Sequence, residues 1–416
     1  MEKTKPVVLY TTPVLQHPSL GGPTLRVENS IKALSQISDL YIYSRVPLDK
    51  MGGVDGLSFY QKYCQQFYFS PDTNKILRFI ERCINFVGKR MLLHPIFNIG
   101  SGLARADFGH LLKIADSIQP DVIWLGYGNI SYSLLNDIKN RSNFKVVVDT
   151  DSVWSRYLIR RSLYARNGQE RAKLNQMGEA KKEEERLGTP LADITTAVSE
   201  IDADYYRPLA KNPMQIMRFS NVIDFGNYQQ APAAPDNIKK PSIYLAGTFW
   251  RGSPMEDAAR WVIRDIFPLI QQQIPGIHIF IAGQGSDIVL SDVKDPHITV
   301  LGKLPSVLPY LCHTNVALVP LRAESGTRFK ILEAGACGIP VVSTVLGAEG
   351  IPVTHRKDIL IANEPERFAN AVIEFIENRG FASELAKNLK CLVQKQFSIP
   401  SLVYEGQLIL DHIIGL

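Results

Sequence analysis

The 416-residue sequence predicts an α/β fold of two Rossmann-like domains built on parallel sheets, and three observations carry that prediction. Short β-branched runs alternate with helical patterns along most of the chain. The runs are apolar at successive positions, which suits strands covered by helices on both faces. A proline-rich stretch near the middle separates the runs into two series of similar length.

In the first series the strand-like runs are residues 7–10, 40–43, 121–125, 145–148, 194–198 and 215–219. In the second they are 242–246, 277–282, 298–301, 315–321, 340–343 and 358–361. Between the series, residues 229–241 contain Pro232, Pro235 and Pro241 among small and polar residues. The expected organisation is therefore a first domain over 1–225, a linker over 226–240, a second domain over 241–399 and a terminal helix over 400–416. Sheets of this kind bind ligands beyond the carboxyl ends of their strands, so two of them are expected to face each other across a ligand-holding cleft.

Composition removes several classes. Hydrophobic residues at 45% and charged residues at 21% are ordinary for a globular chain, which excludes disorder as the main state. No apolar run reaches the ~18 residues of a membrane-spanning helix, and the start leads directly into a short strand. A cytoplasmic protein is the expectation. The five cysteines are odd in number, dispersed in sequence and without a C-x-x-C pair, which argues against a disulfide framework or a zinc site.

Net charge is +5 and unevenly placed. Residues 241–416 hold 15 Lys+Arg against 17 Asp+Glu, and the remainder 31 against 24. The basic half is a candidate for an anionic substrate or an anionic membrane surface. Residues 75–93, with Arg78, Arg82, Lys89 and Arg90 on an apolar helical pattern, are either an interfacial helix at the inner face of a membrane or a core helix. No zinc-finger, RNA-binding or basic-zipper pattern points to nucleic acid. Residues 156–187 are charged throughout, and the run from Lys181 to Arg186 reads as a solvated helix face.

The most informative stretch is Glu324-Ser325-Gly326-Thr327-Arg328-Phe329-Lys330-Ile331-Leu332-Glu333-Ala334, placed between a strand and a helix expected over about 327–337. Backbone N–H groups at a helix start attract anions. Arg328 and Lys330 oppose the helix dipole there, so a bound diphosphate would account for them. Glu333 would lie about 9 Å along the helix, at a distance suited to a ribose. Taken alone, the stretch fits a plain helix cap with surface charges equally well.

This segment resembles the donor-binding signature of the retaining glycosyltransferases of family 4, the group 1 transferases, in the form that reads Ser-Gly-Thr-Arg-x-Lys-Ile-Leu-Glu-Ala. Further similarity runs through Ala246-Gly247-Thr248-Phe249-Trp250, Ala282-Gly283-Gln284-Gly285, Gly302-Lys303-Leu304 and Gly347-Ala348-Glu349-Gly350. It is weaker at Gly21-Gly22 and at Ser220-Asn221-Val222-Ile223-Asp224. The resemblance implies the GT-B fold, a C-terminal helix crossing back to the first domain, and transfer of a sugar from a nucleotide sugar to a hydroxyl of a glycan, lipid-linked or small-molecule acceptor.

By position, the resemblance implies that Glu333 binds ribose and that Ser325 stands where the more common motif has a Glu on the donor sugar. Gly326 and Thr327 would offer N–H groups, and Gly302 and Lys303 would hold the base. Gly22 and Gly247 fall where backbone approaches the donor. The usual cations after the first strand of the donor domain are missing: Thr248 replaces the Arg, and Arg251 is the nearby candidate. Arg328 and Lys330 are then expected to stabilise the leaving diphosphate. Asp151 takes the place near which many members carry a His on the donor sugar.

No metal is expected, because the family typically works without one, although Asp149-x-Asp151 has the form of a metal pair. The family's frequent lipid-linked acceptors keep a peripheral membrane contact through the first domain open. The alternatives are an epimerase or phosphorylase on the same frame, or a catalytically silent sugar-nucleotide-binding subunit, the last motivated by Ser325 and the absent His. Gly283-x-Gly285 lacks the third glycine of a dinucleotide fingerprint, and no G-x-S-x-G elbow is present.

Overall fold

The computed structural model describes residues 5–19, 21–71 and 105–415. The stretch 75–93, expected as an interfacial or core helix, lies outside the described residues.

Thirteen strands alternate with helices among the described residues: β1 (Val7–Thr12), β2 (Asp39–Ser44), β3 (Gln66–Phe69), β4 (Val122–Gly126), β5 (Lys145–Asp149), β6 (Ile194–Ala197), β7 (Ile216–Arg218), β8 (Ser242–Ala246), β9 (His278–Ala282), β10 (Ile298–Gly302), β11 (Val316–Val319), β12 (Val341–Ser343) and β13 (Leu360–Ile361). The helices that matter below are α1 (Gly22–Ile37), α2 (Trp154–Ser162), α3 (Gly168–Gly188), α4 (Pro254–Trp261), α5 (Leu308–Leu311), α6 (Phe329–Cys337) and α7 (Ile399–Ile414).

The first sheet has the order β3-β2-β1-β4-β5-β6-β7, and the second β10-β9-β8-β11-β12-β13. All pairings are parallel, as the two-faced apolar runs require. In each sheet the order reverses beside the first strand, at β1/β4 and at β8/β11, and such switch points open a crevice at the strand ends. The fold is an α/β arrangement of two parallel-sheet Rossmann-like bodies. Strand β3 had no counterpart among the expected runs. Its four residues, Gln66-Phe67-Tyr68-Phe69, are too few for a period to show, and among the described residues it pairs with β2 alone.

The chain divides into two compact units, one of residues 1–155, 176–221 and 399–416, the other of 156–175 and 222–398. This corrects the expected first domain of 1–225, because residues 156–175 pack with the second unit. It also corrects the linker over 226–240. Its Asn237 accepts a hydrogen bond from the Tyr310 hydroxyl (2.9 Å), and the Pro232 carbonyl lies 2.8 Å from His313 Nε2. Those bonds fix the segment to the second unit.

In the first unit, Trp124 at the centre of β4 is fully buried and meets Phe219 edge-on at 5.0 Å. Helix α7 lies against α1, with Gly406 at the contact. A Cβ there would stand 3.0 Å from Ile37 Cδ1, so a larger residue would require that side chain to shift. Glu405 secures the helix: its carboxylate accepts from Arg218 Nε (2.6 Å), the Ser220 N–H (2.7 Å) and the Ser220 hydroxyl (2.9 Å). In the second unit Gly335 of α6 plays the same part, since a Cβ would meet Leu389 at 2.8 Å and Val393 at 2.9 Å. A larger residue there would overpack the core at a cost of roughly 1–3 kcal/mol.

The charged run on α3 is not a solvated face. Lys181, Glu184 and Glu185 are buried. Lys181 Nζ donates to the Asn129 carbonyl and to Glu184 (2.6 Å), and Glu185 accepts from the hydroxyls of Ser155 (2.5 Å) and Tyr205 (2.6 Å). Buried charges persist only when partnered, and each of these has its partner. Glu183 and Arg186 alone form the exposed pair that the pattern suggested.

Candidate functional site

The site is assembled where β11 ends at the switch point of the second sheet. From Leu321 the chain leaves the sheet through Arg322-Ala323-Glu324-Ser325-Gly326-Thr327 and enters α6 at Phe329. The helix starts two residues later than expected. Arg328 occupies its N-cap in an extended conformation, and no side chain caps the helix end. Gly326 has φ +80°, a left-handed turn that glycine adopts without strain. Gly338 closes the helix with φ +71°.

Arg328 is only 4% exposed. Its guanidinium donates to the Gly326 carbonyl and to the Leu346 carbonyl (3.3 Å), while Nε has no partner among the described residues. Burial pushes its pKa down. Glu324 and Glu349 act against that, and Arg160 and Arg156 add to it. Lys330, half-buried one residue into the helix, is also pushed down by burial, with Glu324 and Glu333 opposing. These cations do not sit on a solvated helix end. They are held in low-dielectric surroundings, where their field on a nearby anion is strong.

Glu333 is the fifth residue of α6, so it lies about 6 Å along the axis from Phe329 rather than 9 Å. Its carboxylate accepts from the Tyr228 hydroxyl at 3.1 Å. Burial raises its pKa, and the Tyr228 hydrogen bond and Lys330 moderate the rise. Glu333 and Lys330 line a small cavity of about 20 Å³ together with Tyr244, Val307, Leu311 and Leu318. A space of that size holds about one water molecule, so it marks a mostly apolar wall beside the carboxylate and the ammonium.

Three groups not assigned from the sequence complete the cluster. Arg156 Nε donates to Ser325 Oγ at 3.4 Å. Arg160 pairs with both oxygens of Glu349 (2.6 and 2.8 Å) and donates to the Glu324 carbonyl (3.0 Å). Tyr228 comes from the segment expected to be a linker. The Arg156-x3-Arg160 spacing does place two cations on one helix face, a signal the sequence offered. Nothing in the sequence marks Tyr228.

The remaining candidates are placed differently. Gly247 packs against Met255, whose Cγ would be 2.7 Å from a Cβ, and its carbonyl oxygen would be 1.7 Å from a Cβ on Gly283. That glycine pair lets the loops after β8 and β9 touch, which is a packing reason for Gly247. Gly302, with φ +66°, accepts from the Gly283 N–H at 2.8 Å at the end of β10. Arg251 and Lys303 are exposed. Gly22 and Asp151 belong to the first unit. Gly22 opens α1, which has neither a side-chain cap nor an acidic residue in its first turn. Asp151 accepts from Asn129 Nδ2 (2.9 Å) and Trp154 Nε1 (3.0 Å).

Asp149 is buried, paired with Arg26, and accepts from the Thr196 hydroxyl at 2.8 Å. It is therefore committed to the core, and Asp149-x-Asp151 is not a pair of free metal ligands. Two cysteines far apart in sequence, Cys312 and Cys337, approach to 3.4 Å between sulfurs, a proximity that spacing did not foretell.

Residues 240–378 match the family model described as Glycosyl transferases group 1, about a third of the chain. A Klebsiella pneumoniae protein described as an uncharacterized 44.6 kDa protein in the cps region is 26% identical over 146 residues, which is 33% of this chain and 38% of that protein. The chain thus aligns with well under half of that relative's length. Among solved structures, Anabaena HepE in complex with UDP and glucose superposes with a TM-score of 0.65 at 13% identity, covering 98% of this chain and 99% of that one. Sucrose-phosphate synthase from Thermosynechococcus elongatus gives 0.69 at 16% identity, covering 99% and 100%. At these identities the likeness is one of fold, and the fold is GT-B.

Proposed function

We propose that the chain is a retaining glycosyltransferase that moves a sugar from a nucleoside diphosphate sugar to a hydroxyl of a glycan, lipid-linked or small-molecule acceptor. One observation carries the reading: buried Arg328 and half-buried Lys330 flank an uncapped helix start, and Glu333 stands one turn further on. A diphosphate at the helix start would meet N–H groups and two cations. A ribose would meet Glu333. The group 1 match over 240–378 supports the same assignment. UDP is the first nucleotide to test, because the Anabaena HepE structure contains it.

In this reading the bond from the anomeric carbon to the distal phosphate oxygen breaks, and its electron pair stays on that oxygen. The acceptor oxygen bonds to the same face of the anomeric carbon, and its proton passes to the departing phosphate. Charge therefore grows on the diphosphate, where Arg328, Lys330 and the α6 N–H groups stabilise it without having to reorganise. No separate protein base and no metal is needed. Asp151, fixed by Asn129 and Trp154, is a candidate to hold sugar hydroxyls. Among the described residues no helix is long and apolar enough to cross a membrane, and a peripheral contact through residues 75–93 remains a separate proposal.

The test is a thermal-shift screen of nucleoside diphosphates and nucleotide sugars, followed by an assay of diphosphate release with and without an acceptor panel. Acceptor-dependent release with the anomeric configuration kept is the expected result. Binding without turnover across the panel would support a silent binding subunit, and release without any acceptor a hydrolase or epimerase.

A further inference from the structure

The cluster around Ser325 contains more positive charge than α6 and its loop supply. Arg156 and Arg160 come from α2, in a part of the chain well before the second sheet begins, yet both pack in the second unit against this loop. Three cations, Arg156, Arg160 and Lys330, lie close to Arg328. The carboxylates that face Arg328 are Glu324 and Glu349. Glu349 is engaged by Arg160 through both oxygens. Gathering like charges out of water is costly unless an anion compensates them. The unpartnered Nε of buried Arg328 is a second sign that a ligand group is missing here.

The order along the loop and α6 suggests how a ligand would lie. Ser325 with Arg156 comes first, Lys330 follows in the first turn of α6, and Glu333 with Tyr228 comes one turn later. A nucleoside diphosphate laid along this line puts ribose at Glu333 and the first phosphate near Lys330. Its second phosphate then falls at Ser325 and Arg156. The loop after β8 contributes no buried cation to this end, since Arg251 is exposed and Thr248 is uncharged.

We infer that Arg156 is a binding residue for the distal phosphate of a nucleoside diphosphate, and that Arg160 is a positioning residue that fixes the Ser325 loop through Glu349 and the Glu324 carbonyl. The inference rests on the nucleotide-sugar reading above and extends it to a segment outside the matched family region. Arg156 accounts for charge that the sequence of the second domain lacks. Its guanidinium presents several donors in one plane, a shape suited to phosphate oxygens.

The experiment compares a diphosphate with its monophosphate, which lacks only the distal group. Isothermal titration of the whole chain with UDP and UMP, with GDP/GMP and ADP/AMP as further pairs, is run on wild type, Arg156→Ala, Arg156→Lys and Arg160→Ala. Arg156→Ala should weaken the diphosphate about tenfold and change the monophosphate by less than about twofold, with the melting temperature kept. Arg156→Lys should restore part of the loss. Arg160→Ala should also weaken the diphosphate and lower the melting temperature, because Glu349 then loses its partner. Equal losses for both nucleotides in Arg156→Ala, or no loss for either, overturns the inference while leaving the nucleotide site standing. A wild-type chain that binds no diphosphate of the three pairs overturns the functional reading and this inference with it.

Discussion

Replacing Glu333 tests the nucleotide site and the energetics of α6 together. Its carboxylate receives the Tyr228 hydroxyl at 3.1 Å, and both residues are half-buried. In Glu333→Ala the bound nucleotide would lose charge-assisted hydrogen bonds worth about 1.5–3 kcal/mol, a fall in affinity of roughly 10- to 150-fold. The same change leaves the Tyr228 hydroxyl without an acceptor, which costs about 1–3 kcal/mol of stability.

Glu333→Gln separates the two effects. The amide oxygen can still accept from Tyr228, so the fold should lose no stability while binding weakens. Titration calorimetry with UDP and thermal unfolding of both variants read the two quantities. The pH sign follows from the raised carboxyl pKa in the folded state. The folded chain holds the proton more tightly than the unfolded one. The associated stability is therefore fully present below the ordinary carboxylate pKa and is lost as pH rises through the raised value. Above that value Glu333→Gln should be stabilised relative to wild type, and toward acid pH the difference should close. Unchanged UDP affinity in Glu333→Ala would remove Glu333 from the site and refute the reasoning.

Further expectations follow from the same geometry. Arg328→Ala should lower kcat more than it raises KM for the donor, because charge on the phosphates is greatest in the transition state; a change confined to KM would mean uniform binding. Activity should survive EDTA, since Asp149 is committed to Arg26; loss on chelation with recovery on added Mg²⁺ or Mn²⁺ would assign the diphosphate to a metal instead. Glu405→Ala should lower the stability of the first unit by about 2–3 kcal/mol, read by thermal unfolding, because Arg218 and Ser220 lose a shared carboxylate; an unchanged unfolding curve would show that α7 is held by apolar packing alone.

Much of the framework was legible in the sequence because parallel strands covered on both faces write themselves as continuous apolar runs. All but one of the described strands coincide with such runs, and the exception, β3, has only four residues. The proximity of part of the candidate site was legible for a different reason. Ser325, Gly326, Thr327, Arg328, Lys330 and Glu333 fall within nine successive positions, so one loop and one helix bring them together. What sequence reasoning missed was assembled over distance. Tyr228 reaches Glu333 across 105 positions, and Arg160 reaches Glu349 across 189. Local charge patterning also misjudged Lys181 and Glu184. A buried pair and a solvated pair have the same spelling, and only the surroundings, here the Asn129 carbonyl, tell them apart.

The division of the chain carries a practical consequence for anyone cutting it. The backbone passes between the two units four times, at 155/156, 175/176, 221/222 and 398/399. No single scission yields either unit whole. A fragment begun at residue 240, where the family match starts, would lack Arg156, Arg160 and Tyr228, and would carry α7 with Leu402, Ile409, Leu410 and Ile413 stripped of their packing surface. Such a piece would expose a greasy helix to solvent and invite aggregation. Independent expression of the second unit therefore calls for a redesigned connectivity, with residues 156–175 grafted ahead of 222–398 and the terminal helix removed.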